Sequence, residues 1–178
     1  MGKITTILFV LAILALVSSA AAAGVTVSVD SATAAEGKTV TLPVKVTGAS
    51  NLGAMDLVLT YDSSVLKFSN AELGELSTNG LVEGNELQAG TAKISFADTK
   101  GINGDGTILK VTFTVTGKKG ASTDIGASAQ AYGLDLKDIP TTATGGKVTV
   151  SSPGLGLEIA VILLSVGAAV VVFRRRGE

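Results

Sequence analysis

Residues Asn51 to Phe68 read NLGAMDLVLTYDSSVLKF, a strictly alternating segment that closes on a turn. With a period of two, Met55, Leu57, Leu59 and Tyr61 form one face, and Asp56, Val58 and Thr60 point the other way. Such a strand covers an apolar core on one side and sets an acidic side chain on a rigid outer surface. YDSS then stops it, because Asp and Ser side chains bond their own backbone in turns.

The same alternation recurs at VTVSV (Val25 to Val29), VTLPVKV (Val40 to Val46), AKISFA (Ala92 to Ala97), ILKVTFTV (Ile108 to Val115) and KVTV (Lys147 to Val150). Val40, Leu42, Val44 and Val46 make one inward set; Leu109, Val111, Phe113 and Val115 make another. Gly and polar clusters separate the runs, at AAEGK, TGASNLG, TNG, QAGT, KGINGDG and TGKKGA. This is the punctuation of an all-β sandwich, and no helical period competes with it. Pro43 lacks an N–H, so its strand is expected at an edge or a bulge there. Ser122 to Thr144 alternates more weakly, and AYGLDLKDIP reads as a loop, a short strand or one helical turn.

Both ends have a different character. Met1 to Gly24 carries Lys3, an apolar run from Ile7 to Val17 and the small-residue series SSAAAAG, the pattern of a secretory signal peptide. Leu155 to Phe173 is a 19-residue run whose one charge is Glu158, followed at once by Arg174, Arg175 and Arg176. At 1.5 Å per residue it spans roughly 28 Å, the thickness of a bilayer core, and the arginines place residues 174–178 in the cytoplasm. The expected organisation is a signal peptide (1–24), a β-sandwich (25–150), a short linker (151–154), a transmembrane helix (155–173) and a basic tail (174–178). The domain then stands on the extracellular face of the cell membrane. SPGLGLEIAVILLSVGAAVVVFRRR also resembles the Pro-Gly-Phe sorting signals of archaeal surface proteins, with Leu155 in place of Phe. That resemblance implies processing in which a lipid replaces the helix, and either route leaves a surface tether.

Between the ends lie ten lysines and thirteen acidic residues. The balance is mildly acidic and leaves no basic patch suited to phosphate backbones, which argues against nucleic acid. The chain has no cysteine, so stability must come from the hydrophobic core rather than from disulfides.

The motifs and their order resemble the cohesins, the dockerin-binding modules of cellulosome scaffoldins. VTVSVDSATAAEGKTVTLPVKV matches their opening strand, turn and strand, and the Leu-Gly-Ala strand follows. ISFADTKG (Ile94 to Gly101) matches the Phe-Ala-Asp/Glu segment, and INGDGTILKVTF (Ile102 to Phe113) the strand with an Asp-Gly entry. The resemblance implies a jelly-roll β-sandwich of about nine strands. It also implies that one sheet face receives a dockerin-like partner, which carries its own calcium, through Asp56, Ala97, Asp98 and Gly101. Ala54 stands where cohesins often have Asn, two residues before the acidic residue. Polysaccharide would be reached only through the partner.

Other chemistries find little support. GINGDGTILKVT places Asn103, Asp105 and Gly106 as in a calcium loop, but Gly101 and Thr112 occupy the first and twelfth positions, where Asp and Glu are required. A tight turn into the next strand accounts for NGDG, and no metal or cofactor site is expected. Without His or Cys there is no imidazole- or thiol-based catalysis. A carboxylate pair such as Asp56 and Asp98 would lie on or near an open strand face, whereas glycosidase pairs sit in a cleft. No enzymatic activity is therefore expected. Aromatic residues make up 4% of the chain and Trp is absent, so a sugar-stacking platform reduces to Tyr132. The expected function is a non-catalytic interaction module. The alternatives are a structural or adhesive envelope protein and a carbohydrate-binding module on the same sandwich.

Overall fold

The structure, a computed structural model, describes residues 24–152. The expected signal peptide (apart from Gly24), transmembrane helix and basic tail lie outside the described residues. Ten strands form in chain order: β1 (Val25–Val29), β2 (Ala32–Ala35), β3 (Thr39–Thr60), β4 (Leu66–Leu73), β5 (Leu81–Gln88), β6 (Thr91–Val115), β7 (Ser122–Gly133), β8 (Asp138–Ile139), β9 (Thr141–Thr144) and β10 (Gly146–Ser151). One 3-10 turn, Glu75–Ser77, joins β4 to β5.

Segments that read as separate strands turn out to be continuous. Val40 to Val46 and the Leu-Gly-Ala strand are both parts of β3; Ala92 to Ala97 and Ile108 to Val115 are both parts of β6. The two pair antiparallel over their whole lengths, from Thr39 opposite Thr114 to Thr60 opposite Thr91. Between Val44 and Ala54 the register shifts four times, and each irregularity bends the ribbon further. Gly48 (φ 75°), Asn51 (φ 56°) and Gly101 (φ 73°) supply the left-handed backbone that these bulges need. NGDG is therefore no tight turn. Asp105 Oδ1 accepts from the Gly48 N–H at 2.7 Å and Asn103 Oδ1 from the Asn51 N–H at 2.8 Å, so its side chains fasten one arm of the bend to the other.

The bent ribbon contributes to both layers. Its first β3 half pairs with β1, which pairs with β9, while the facing β6 half pairs with β4. The other halves lie between β5, on β6, and β7, on β3; β7 continues through β10 to β2. All the inward sets expected from alternation are buried, with Leu42, Val44, Leu57, Leu59, Leu109, Val111 and Phe113 fully so. Phe113 is gripped edge-on by Tyr61 and Phe68, with ring centroids 5.0 and 6.1 Å away. β5 approaches β4 closely because position 84 is glycine; a Cβ there would lie 2.7 Å from Phe68 Cζ.

Pro43 lies on neither sheet edge. Its carbonyl accepts from the Asp30 N–H at 3.1 Å, one position past the last β1–β3 rung at Val29 and Val44, so the missing N–H costs only the return bond to Asp30 at the very end of that ladder. The weakly alternating Ser122 to Thr144 is mostly strand, β7 to β9. Its small residues (Ala127, Ala129, Ala131) face inward with little hydrophobic contrast.

The molecule has two distinct ends. At one, the bend of β3 and β6 gathers with the loop after β7. At the other, Gly37 N–H reaches Val115 O (3.0 Å), Tyr61 N–H reaches Gly90 O (2.9 Å), Thr116 N–H reaches Val65 O (2.9 Å) and Gly120 N–H reaches Val150 O (2.9 Å). This second end is where β10 delivers the chain towards residue 153.

Two substitutions on neighbouring β3 positions separate core from surface. Leu57→Ala is expected to lower unfolding free energy by about 2–5 kcal/mol in urea titrations, and Val58→Ala by less than about 1 kcal/mol. Equal costs would contradict the assigned faces.

Candidate functional site

Alternation and register together set the outer face of β5, β6, β3 and β7. Partnered residues on these strands line up in rows. Nearest the bend the row is Leu81, Ala97, Ala54 and Tyr132. Next come Glu83, Ser95, Asp56 and Gln130, then Asn85, Lys93, Val58 and Ser128. The first row is apolar and low in its middle, because two alanines lie between Leu81 and Tyr132. Leu81 is 78% exposed and, in one row with Ala97, Ala54 and Tyr132, belongs to a contiguous apolar strip rather than standing alone.

Asp56 occupies the centre, with its side chain 42% exposed. The Ser95 hydroxyl donates to Oδ1 at 2.6 Å, and Lys93 Nζ stands 3.2 Å from Oδ2. The Ser95 hydrogen bond holds the Asp56 carboxyl below the usual carboxylate range; Lys93 adds to this and partial desolvation opposes it. Across the row, the Gln130 amide donates to Asp138 at 3.5 Å, at the limit of a hydrogen bond. Lys93 lines two shallow depressions, one with Glu83, Asn85 and Leu87, the other with Asp56, Val58, Ser128 and Gln130.

Of the four residues expected at the site, Asp56 and Ala97 share this outer face. Ala97 is exposed and sits opposite Ala54. Gly101 lies in the adjoining bend, half-buried; a Cβ there would meet Asn51 Oδ1 at 2.8 Å and Leu134 Cδ1 at 3.1 Å. Asp98, expected on or beside the face, is a correction: it is 5% exposed and points the same way as Ile94 and Phe96. Its Oδ1 accepts from the Lys100 N–H (2.7 Å) and the Gly101 N–H (3.2 Å), so this carboxylate shapes the bend from inside and offers no charge to a ligand. It is also no partner for Asp56 in two-carboxylate chemistry. Tyr132 is half-buried and forms the rim of the alanine trough.

Several residues of the face were not singled out from the sequence. Ser95 and Lys93 follow from the alternation that buries Ile94 and Phe96. Leu81 belongs to β5, whose pattern is interrupted by Gly84 and Glu86. Leu134 (42% exposed) and Leu136 (82% exposed) lie in the hairpin between β7 and β8. In that hairpin the Leu136 N–H donates to Gly133 O at 3.0 Å and the Gly133 N–H to Lys137 O at 2.9 Å. Leu136 takes φ 61°, a conformation that normally selects glycine. An apolar side chain is thus displayed at a strained position beside the face, a combination that folding alone does not favour.

Comparison with known proteins agrees with this architecture. The Cohesin domain family matches residues 25–150. A curated relative, Cellulose-binding protein A of Clostridium cellulovorans, is 29% identical over 132 residues, which cover 69% of this chain and 7% of that much longer protein. Among solved structures, the non-cellulosomal cohesin from the hyperthermophilic archaeon Archaeoglobus fulgidus superposes with a TM-score of 0.65 at 27% identity, covering 78% of this chain and 96% of that one. The sixth cohesin of scaffoldin B from Acetivibrio cellulolyticus, solved in complex with a Cel5 dockerin mutant, gives 0.63 at 23% identity, covering 72% and 99%. With the family matched across the whole described sandwich, the chain belongs to the cohesin domain family.

Proposed function

We propose that this chain is a non-catalytic interaction module, tethered to the outer surface of the cell membrane, whose β5–β6–β3–β7 face receives a dockerin-like protein. The observation that carries the reading is the face itself: an alanine trough rimmed by Leu81 and Tyr132, next to a central Asp56 held ready by Ser95 and Lys93. A flat apolar strip with one oriented charge beside it suits a helical partner, with burial giving affinity and the charge giving register. The Acetivibrio cellulolyticus relative was solved with a dockerin bound, which supports the partner class. The Archaeoglobus fulgidus relative is described as non-cellulosomal, so the partner need not belong to a cellulosome. Calcium is carried by the partner, and polysaccharide is reached through it.

Capture from the organism's secreted proteins on the immobilised chain tests this. A chelator should release the captured protein, and Ala97→Arg, which fills the trough from an exposed position, should abolish capture without shifting the thermal midpoint. Retention of the same protein by the Arg variant would sink the assignment of the face. Binding to insoluble polysaccharide with no protein captured would favour the carbohydrate-binding alternative.

Leu136→Gly should separate binding from stability. Removing the left-handed strain is expected to raise unfolding free energy by about 1 kcal/mol, while capture weakens because the exposed leucine is gone. Unchanged capture would place the hairpin outside the contact.

For Asp56 the sign is that of a depressed carboxylate. Its stabilising interactions are fully present above the ordinary Asp value of about 3.9 and are lost as pH falls through the lowered value. With the group this exposed the effect on folding is about 1 kcal/mol or less. Carboxyl-carbon NMR should show Asp56 titrating below that ordinary value and Ser95→Ala moving it up; an ordinary midpoint in the parent chain would contradict the hydrogen bond.

A further inference from the structure

The lysines of the described domain divide into two groups. Lys45, Lys93, Lys110, Lys137 and Lys147 each form an ion pair. Among the described residues the other five, Lys38, Lys67, Lys100, Lys118 and Lys119, have no carboxylate within salt-bridge distance, and all are exposed. Four of the five sit at the end where β10 delivers the chain. Lys118 and Lys119 begin the loop fastened to β10 by Gly120 N–H to Val150 O and Val150 N–H to Ala121 O, both 2.9 Å. Lys38 follows the turn after β2, whose Ala35 pairs with Ser151, and its carbonyl accepts from the Val115 N–H. Lys67 pairs with Thr114 in the first residues of β4.

Asp62, Glu86 and Glu36 share that end. Asp62 is occupied by the Ser64 N–H (2.8 Å) and hydroxyl (2.6 Å), Glu86 accepts from the Tyr61 hydroxyl (2.6 Å) in the depression that Lys67 also lines, and Glu36 is exposed. The bend end has the reverse balance: Asp98, Asp105, Asp135 and Asp138 against Lys100 and Lys137, the last already paired with Asp135. The domain is therefore polarised along its strands, basic where the chain leaves and acidic where β3 and β6 fold over.

Only Ser152, Pro153 and Gly154 separate β10 from the apolar run that begins at Leu155. At an extended reach of about 3.5 Å per residue, the exit loops stay roughly 10 Å from the start of that run, on the order of one Debye length at physiological salt. Unpaired lysines held at such a distance meet whatever charge the bilayer surface carries.

We propose that the end formed by Lys38, Lys67, Lys118 and Lys119 is a contact surface for anionic lipid headgroups, seating the sandwich upright on the membrane. This rests on the membrane tether proposed above and is independent of what docks on the sheet face. With this end down, the β5–β6–β3–β7 strands stand along the membrane normal. The trough of Leu81, Ala97, Ala54 and Tyr132, with Leu134 and Leu136, is then at the far end from the bilayer.

The chain has no cysteine, so single labelling sites can be introduced cleanly. The test uses the full chain reconstituted into vesicles of pure phosphatidylcholine, or of phosphatidylcholine and phosphatidylglycerol in equal parts, with a spin label at Ser63→Cys (exit end) or Thr99→Cys (bend end). The expected result is that anionic vesicles shield the Ser63 label from a water-soluble nickel collision reagent while neutral ones do not. Raised salt, or the K38E/K118E/K119E variant, should reopen it, and the Thr99 label should stay accessible throughout. Equal accessibility of the Ser63 label in both lipids, or shielding that survives charge reversal, would overturn the contact while leaving the tether intact. Failure of the chain to float with pure phosphatidylcholine vesicles would overturn the tether, and this inference with it. Dockerin-type capture, read out separately with Ala97→Arg, is unaffected by either result.

Discussion

Everything in this domain hangs on the pairing of β3 with β6. These strands of 22 and 25 residues remain hydrogen-bonded through a bend that carries them from one layer to the other. A flat ribbon of that length would expose one apolar face along its whole course. Folding it at the bulges brings the inward face of one half onto the inward face of the other, so Leu57 and Phe113 come to share a core. The remaining strands then extend a scaffold whose curvature is already set. That is why the polar residues of the bend, Asn103, Asp105 and the buried Asp98, are engaged with backbone N–H groups.

Alternation made the core legible from the sequence, since every inward set it names is buried. It did not reveal continuity. A period of two says which face a residue occupies and nothing about whether two runs belong to one strand. The clusters at TGASNLG and KGINGDG look like turns because glycine and asparagine serve turns and bulges alike. β5 escaped for another reason: Gly84 is small to admit Phe68 and Glu86 reaches Tyr61 at 2.6 Å, so neither contributes an apolar beat. Asp98 is the reverse case. Counting by twos from Phe96 puts it inside, and its family position suggested the surface; the backbone N–H groups of Lys100 and Gly101 are what make the interior tolerable for a carboxylate.

The face of the sheet joins a fixed charge to a soft surround. Asp56 is already satisfied by Ser95 and Lys93, so it has little freedom to reorient towards a ligand. If this is the docking face proposed above, discrimination among ligands would depend on whether an incoming group can match this arrangement without stranding Lys93. Ala54, in place of the Asn often found there, removes a donor and acceptor and deepens the apolar trough instead. Leu81, Leu134 and Leu136 add to the same tendency, and the balance of the surface moves from hydrogen-bond matching towards burial.

The placement of the two ends also has a mechanical consequence. Tension applied between the bend end and residue 152 would run along β10, whose rungs to β7 on one side and β2 on the other lie across that direction. The rungs would be strained together, in shear, instead of opening one after another as in a peeling strand. A cysteine-free domain would thereby resist extension along this axis through backbone geometry alone.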